Sequence, residues 1–209
     1  MNRIRSLLTK ILKLINKNLL INKIFSIIKN ISDFKEIKID NNDKIFLLDT
    51  NWLTRYRIDS FYTKEPETIE WINNFISGSF WDIGANVGLY SIYASKINDK
   101  IKVISFEPSI LNLEILVKNI YQNKQQNNIK IITNPLSNKN KFDKFYLSNL
   151  DKGGANSSFG TKIDDVLNDT TNSLNCEQIR DIYNLEEPKY VKIDIDGNKA
   201  SIEVLDKIF

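Results

Sequence analysis

Histidine is absent from the 209 residues. With it go the commonest general base, the Ser-His-Asp type of triad and metal sites built on imidazole. Acid–base chemistry in this chain therefore falls to Asp, Glu, Lys or Tyr. The single cysteine, Cys176, excludes an internal disulfide and fits a reducing compartment. It sits in a polar stretch without a partner and reads as inert. Acidic residues are missing from positions 1–31, which carry seven basic ones: Arg3, Arg5, Lys10, Lys13, Lys17, Lys23 and Lys29. Taking those seven from the 29 basic residues of the chain leaves 22 against 26 acidic, a net of −4 for the body. The overall charge of +3 is thus a local property, and a nucleic-acid-binding domain is not indicated. Long apolar runs are missing too. The longest in the first segment is Leu19-Leu20-Ile21, far short of a spanning helix or a signal-peptide core. Glycine is sparse while Asn, Lys and Ile abound, the usage of an AT-rich genome, so the Asn content says little about function.

What is present begins with amphipathic periodicity. Ile4, Leu7, Leu8, Ile11, Leu12 and Ile15 recur at helical spacing, and Leu20, Ile24, Ile27, Ile28 and Ile31 continue it after a register shift. With its basic opposite side, this segment suits peripheral contact with an anionic membrane surface, or packing on its own domain or another subunit. The expected location is cytoplasmic, with any membrane contact at the inner face.

Residues 33–62 read as short strands and turns, with strands at 36–39 and 45–48 and a turn at Asn41-Asn42-Asp43. A helix opens at Thr63-Lys64-Glu65-Pro66-Glu67, where proline suits the first turn. Ile69, Ile72 and Ile76 form its face, and Ser77-Gly78 ends it. Strand 79–83, helix 88–97, strand 103–106, helix 111–121 and strand 130–133 then alternate as βαβαβ, which implies a parallel sheet. Residues 142–150 and the loop Gly153-Gly154-Ala155-Asn156-Ser157-Ser158 break that rhythm. Residues 168–188 are polar, with a short helix near 177–183. A strand over 190–194 and a helix over 200–208 close the chain. The division expected is 1–32 basic helical, 33–78 an extension, and 79–209 a partial ligand-binding domain.

The most informative stretch is Phe80-Trp81-Asp82-Ile83-Gly84-Ala85-Asn86-Val87-Gly88. An apolar strand runs into an acid, then glycines, then a helical pattern, and such a turn lets a ligand approach the backbone at a helix N-terminus. The next strand ends at Glu107-Pro108, 19 residues beyond Gly88, the separation at which a carboxylate accepts from ribose hydroxyls. A dinucleotide fingerprint needs G-x-G-x-x-G, whereas here Asp82 ends the strand. A carboxylate there repels pyrophosphate and pairs with an ammonium group. S-adenosyl-L-methionine offers an amino group for Asp82, a carboxylate for the helix N-terminus and a ribose for Glu107, so it is favoured over NAD.

These residues resemble the FkbM-type class I adenosylmethionine-dependent methyltransferases. The resemblance runs through Arg55-Tyr56-Arg57, Thr63 to Thr68, Trp81 to Ser91, Phe106-Glu107-Pro108-Ser109, Pro135-Leu136-Ser137, Gly153-Gly154-Ala155, Ile163-Asp164-Asp165 and Lys192-Ile193-Asp194-Ile195-Asp196-Gly197. It implies a Rossmann-like α/β sheet with helices on both faces. It further implies that Asp82, Gly84, Asn86 and Gly88 hold the methionine end and Glu107 the ribose. Pro108 would belong to that ribose turn, and Leu136 and Ser137 to the adenine wall. Lys192, Asp194 and Asp196 match the fourth-strand motif that faces the transferred methyl. Asp194 is then the preferred base and Asp196 the second, with a Lys–Asp ion pair and an Asp-Gly turn as the plainer reading of those residues. Arg55, Arg57, Lys64 and Glu65 are open to an acceptor-lining role, although Lys64 and Glu65 read more simply as a helix opening.

The expected activity is O-methylation of a hydroxyl on a small molecule, a sugar or glycan, or a secondary metabolite. The alternatives are an inactive adenosyl-ligand-binding or membrane-associated remnant and, further off, a nucleotide-dependent oxidoreductase. Two departures bear on this choice. Asn198-Lys199 stand where the family shows a residue that is often histidine and then a glutamate. The chain also stops at Phe209, where the complete fold continues, so strand 190–194 is expected at an open edge and the fold incomplete.

Overall fold

A computed structural model describes residue 17 and residues 19–24, 34–39 and 43–195. The chain divides into two compact units, Met1–Lys35 and Glu36–Phe209. Lys17 and residues 19–24 are helical. Among the described residues, no helix is long and apolar enough to cross a membrane. The Asn41-Asn42 turn, the closing helix over 200–208, Asp196 and Asn198-Lys199 lie outside the described residues.

The second unit is built on a parallel sheet. Strands β3 (Gly78–Ile83), β4 (Ile101–Phe106), β5 (Ile129–Ile132) and β9 (Tyr190–Ile193) run in the order β5-β4-β3-β9. β3 pairs in parallel with both β4 and β9, with Asp82 opposite Ser105 on one side and Lys192 on the other. Side-chain alternation sends each strand's residues to two separate cores. Phe80 and Val103 join Ile69 and Ile72 of helix α2 (Pro66–Asn73), Ile92 of α3 (Leu89–Ile97), and Leu116 and Ile120 of α4 (Ile110–Gln122). Trp81, Ile83, Ile104 and Phe106 join Cys176 and Ile179 of α5 (Cys176–Tyr183) on the other face. The result is a Rossmann-like sheet with helices on both faces. Cys176 is buried there, and burial pushes its thiol up to about 11, which leaves it a packed and protonated side chain.

Three parts differ from the sequence reading. Between strand β2 (Lys44–Leu48), which pairs with β1 (Phe34–Lys38), and α2 lies a further helix, α1 (Trp52–Asp59), where only strands and turns were expected. Its apolar residues lack a steady helical spacing, and it is held by a capping box instead. Asn51 Oδ1 accepts from Thr54 N–H at 2.9 Å while Thr54 Oγ1 accepts from Asn51 N–H at 3.1 Å. Second, α2 stops at Asn73, short of Ser77-Gly78, and Ile76 is 71 % exposed beyond its end. Third, the stretch from 141 to 173 forms an antiparallel sheet in the order β7-β6-β8, from β6 (Lys141–Leu147), β7 (Ser158–Phe159) and β8 (Leu167–Ser173). β8 holds little that is apolar and gains its order from a seven-residue ladder with β6.

Candidate functional site

The site grows from the exit of β3. Gly84 and Gly88 adopt φ of +83° and +84°, a region that side chains with a Cβ avoid. Space adds a second constraint at Gly84, where a Cβ would collide with the backbone carbonyl of Asp194. The Gly84 and Ala85 N–H groups donate to Phe106 O at 3.0 and 2.9 Å, and Gly88 N–H donates back to Ala85 O at 2.8 Å. Gly88 then caps α3. The turn is thereby sewn to the end of β4, and Asp194 N–H donates to Ile83 O at 2.8 Å on the other side.

Two carboxylates sit behind this turn. Asp82 is 1 % exposed. Its Oδ2 accepts from Ser91 Oγ at 2.6 Å, while Oδ1 is buried without a donor among the described residues. Burial pushes its carboxyl above the usual range, against the pull of Lys192 and the Ser91 hydroxyl. Glu107 is 5 % exposed, and its two oxygens accept from Asn86 N–H and Ser109 N–H, each at 2.8 Å. Burial raises its carboxyl to about 7, with those two N–H groups, the Asn112 amide and Arg57 opposing. Each carboxylate oxygen has two lone-pair sites, so both retain capacity for a further donor.

A cleft opens over the turn. Gly84, Asn86, Leu89 and Tyr90 line it from the turn and α3, Lys192 and Asp194 from the end of β9, and Arg57, Ser60 and Lys64 from α1 and the residues after it. Lys192 Nζ lies 3.0 Å from Asp194 Oδ2 and 4.8 Å from the centre of the Tyr90 ring. Burial pushes Asp194 upward, but the pairing with Lys192, helped by Lys64 and Arg57, outweighs it and holds the carboxyl below the usual range. Burial, with Glu65 close by, raises the Tyr90 hydroxyl.

A strap of main chain from the β6–β7 connection crosses this region. Asn86 Nδ2 donates to Gly154 O at 2.8 Å and Asn112 Nδ2 to the same oxygen at 3.1 Å. Gly153 N–H donates to Asn112 Oδ1 at 2.9 Å, Arg57 Nε to Gly153 O at 2.8 Å, and Asn51 Nδ2 to Lys152 O at 3.0 Å.

Of the residues singled out from sequence, Gly84, Asn86, Lys192 and Asp194 share one cleft, and Asp82, Gly88 and Glu107 sit against its floor. Pro108 and the pair Leu136 and Ser137 do not line it. Leu136 bridges to Leu174, and Ser137 N–H donates to Leu174 O at 3.0 Å, beyond the end of β5. Arg55 turns to Asp49 at 2.9 Å, Glu65 to Lys64 at 3.2 Å, and Arg57 and Lys64 line the cleft. Sequence reasoning missed Ser60, Tyr90 and Asn112. Tyr90 had a signal, its place two residues into the helix after Gly88. Asn112 had none.

The family model of the methyltransferase FkbM domain matches residues 82–202, more than half of the chain. The chain belongs to the FkbM methyltransferase family. It is a family of S-adenosylmethionine-dependent enzymes, and the residues present fit that cofactor: Asp82 Oδ1 and Asn86 Oδ1 are buried acceptors awaiting a donor among the described residues. Among solved structures, the chain is similar to a precorrin-6Y C5,15-methyltransferase from Geobacter metallireducens (20 % identity, 32 % of this chain and 36 % of that one, TM-score 0.30). It is similar also to the C-terminal domain of the Rhodobacter capsulatus precorrin-6Y C5,15-methyltransferase (22 %, 35 % and 40 %, 0.31). A third is a SAM-dependent methyltransferase from Agrobacterium tumefaciens (12 %, 48 % and 32 %, 0.37). The chain thus spans well under half the length of these structures. No curated protein matches it.

Proposed function

We propose that this FkbM-family chain binds S-adenosylmethionine and methylates a hydroxyl on a sugar, glycan or secondary metabolite. The observation that carries the reading is the joining of two acids to one glycine turn. Glu107 accepts from Asn86 N–H, and Asp194 donates its own N–H to Ile83 O just before Gly84. In this reading Asp82, Gly84, Asn86 and Gly88 hold the methionine end and Glu107 the ribose. Leu136 and Ser137 contribute to the adenine wall, with Pro108 setting the turn after Glu107.

Bound adenosylmethionine supplies an electrophilic methyl group. The chain supplies alignment, exclusion of water and a proton acceptor. Asp194 is that acceptor. It lines the cleft, and Lys192 holds it ionised, so it is free of its proton at neutral pH and can take one from the acceptor hydroxyl as the oxygen gains the methyl. Asp196 is the second candidate from sequence. Residues 1–31, with seven basic and no acidic side chains, suit either a peripheral contact with an anionic membrane or packing on the domain or another subunit.

Calorimetry with adenosylmethionine, adenosylhomocysteine and NAD tests the reading. Binding of both adenosyl ligands, and none of NAD, is expected. A folded chain that binds neither adenosyl ligand removes the proposal, and one that binds both yet transfers no methyl to any hydroxyl acceptor is the inactive remnant.

A further inference from the structure

The glycine turn offers less of an anion cradle than its sequence suggests. Four of its N–H groups are already committed: Gly84 and Ala85 to Phe106 O, Asn86 to Glu107 Oε2, and Gly88 to Ala85 O. A carboxylate entering the cleft is left with the N–H groups at the start of α3, Leu89 and Tyr90, and with whatever side-chain donors the cleft adds. Three cations line the cleft. Lys192 is paired with Asp194 at 3.0 Å and Lys64 with Glu65 at 3.2 Å. Arg57 makes no ion pair within 4.0 Å among the described residues, although it is largely withdrawn from water and burial lowers its pKa. A cation desolvated without a counter-ion is costly unless a ligand supplies one.

The Arg57 side chain is also oriented. Its Nε donates to Gly153 O at 2.8 Å, which holds the guanidinium plane and keeps both terminal nitrogens for a partner. Two parallel N–H groups of this kind match a carboxylate. Arg57 lines the same cleft as Gly84 and Asn86, the turn read as holding the methionine end, and the charges of Asp194 and Glu107 act on it through space.

We propose that Arg57 anchors the α-carboxylate of the adenosylmethionine methionine end. The inference rests on the adenosylmethionine reading above. The same chemistry could come from an acidic acceptor, and the choice of probes separates the two. S-adenosylhomocysteine carries the amino-acid end, and 5′-methylthioadenosine keeps the adenosine and thioether but lacks it. Isothermal calorimetry is run with both on the wild type, R57Q, R57K and, as an α1 control outside the cleft, R55Q.

R57Q is expected to weaken adenosylhomocysteine about ten- to a hundredfold while leaving methylthioadenosine within about twofold. R57K retains the charge without the fork and recovers part of the loss. R55Q leaves both affinities at the wild-type level. The ratio of the two affinities is the readout, because loosening of the Gly153 contact alone would weaken both probes alike. Equal loss for both, or no loss for either, overturns the assignment and leaves Arg57 as a strap contact or an acceptor residue. If the folded wild type binds neither probe, the adenosylmethionine reading itself fails. If it binds adenosylhomocysteine and R57Q does not discriminate, only the Arg57 assignment fails. Thermal melting of each variant establishes that it is folded.

Discussion

The backbone N–H of Asn86 donates to Glu107 Oε2 at 2.8 Å, so the turn after β3 is held by the carboxylate that ends β4. In the proposed reading, one acid serves structure and ligand at once. Glu107→Ala is therefore expected to abolish adenosyl-ligand binding and also to loosen the turn. Glu107→Gln keeps the shape and an acceptor, and is expected to cost about ten- to a hundredfold in affinity by calorimetry.

Glu107 also makes stability depend on pH. Its folded-state value of about 7 lies above the ordinary 4.5, so the folded chain holds a proton that the unfolded chain has already released between those values. Its contribution is fully present below about pH 4.5 and is lost as pH rises through 7. Across pH 5 to 8 the wild type is expected to lose on the order of 1–3 kcal/mol relative to Glu107→Gln, read as diverging melting temperatures. A parallel pair of curves would show that Glu107 is ionised throughout.

Asp194→Asn is expected to leave adenosylhomocysteine affinity within about threefold and to lower the methyl-transfer rate about 10²- to 10⁴-fold. Its backbone carbonyl still packs on Gly84, so the fold of the turn is kept. Loss of ligand binding in this variant would refute its role as a base.

Gly84→Ala adds a Cβ at φ +83° and drives it into the Asp194 carbonyl. Both effects act on backbone that has no room to move. A loss of about 2 kcal/mol or more in urea unfolding is expected, with weakened ligand binding.

Asn112→Ala removes two hydrogen bonds to the strap, one to Gly154 O and one from Gly153 N–H. Faster hydrogen exchange across residues 151–156 is expected, with a stability loss of about 1–3 kcal/mol.

The sequence carried the β3–turn–α3 unit plainly, because glycines and an apolar strand state their geometry locally. The α1 wall of the cleft was hidden. Its signal was Asn51 with Thr54 three residues on, a capping box without the apolar spacing that announces a helix. β8 was hidden for a related reason: strand Leu167–Ser173 is fixed by pairing to β6 rather than by burial. Arg57 could be named from sequence as a possible lining residue. Its lack of an ion pair among the described residues depends on where Glu65, Asp194 and Glu107 lie in space, which no local pattern encodes.

The strap is gripped mostly by its main chain, with one side-chain link from Lys152 Nζ to Glu114 Oε2 at 2.7 Å. Asn51, Arg57, Asn86 and Asn112 reach Lys152 O, Gly153 N–H and O, and Gly154 O, and none of them reads a strap side chain. Within the loop, Gly153 is bound by its φ of +81° and Gly154 by close contact with Asn149 and the Asp151 carbonyl. Lys152 and its Glu114 link apart, evolution is thus free to rewrite the neighbours of those two glycines, while four residues spread along the chain from 51 to 112 must drift together or not at all. Homologues that keep the strap should betray it by that scattered quartet rather than by the loop's own spelling.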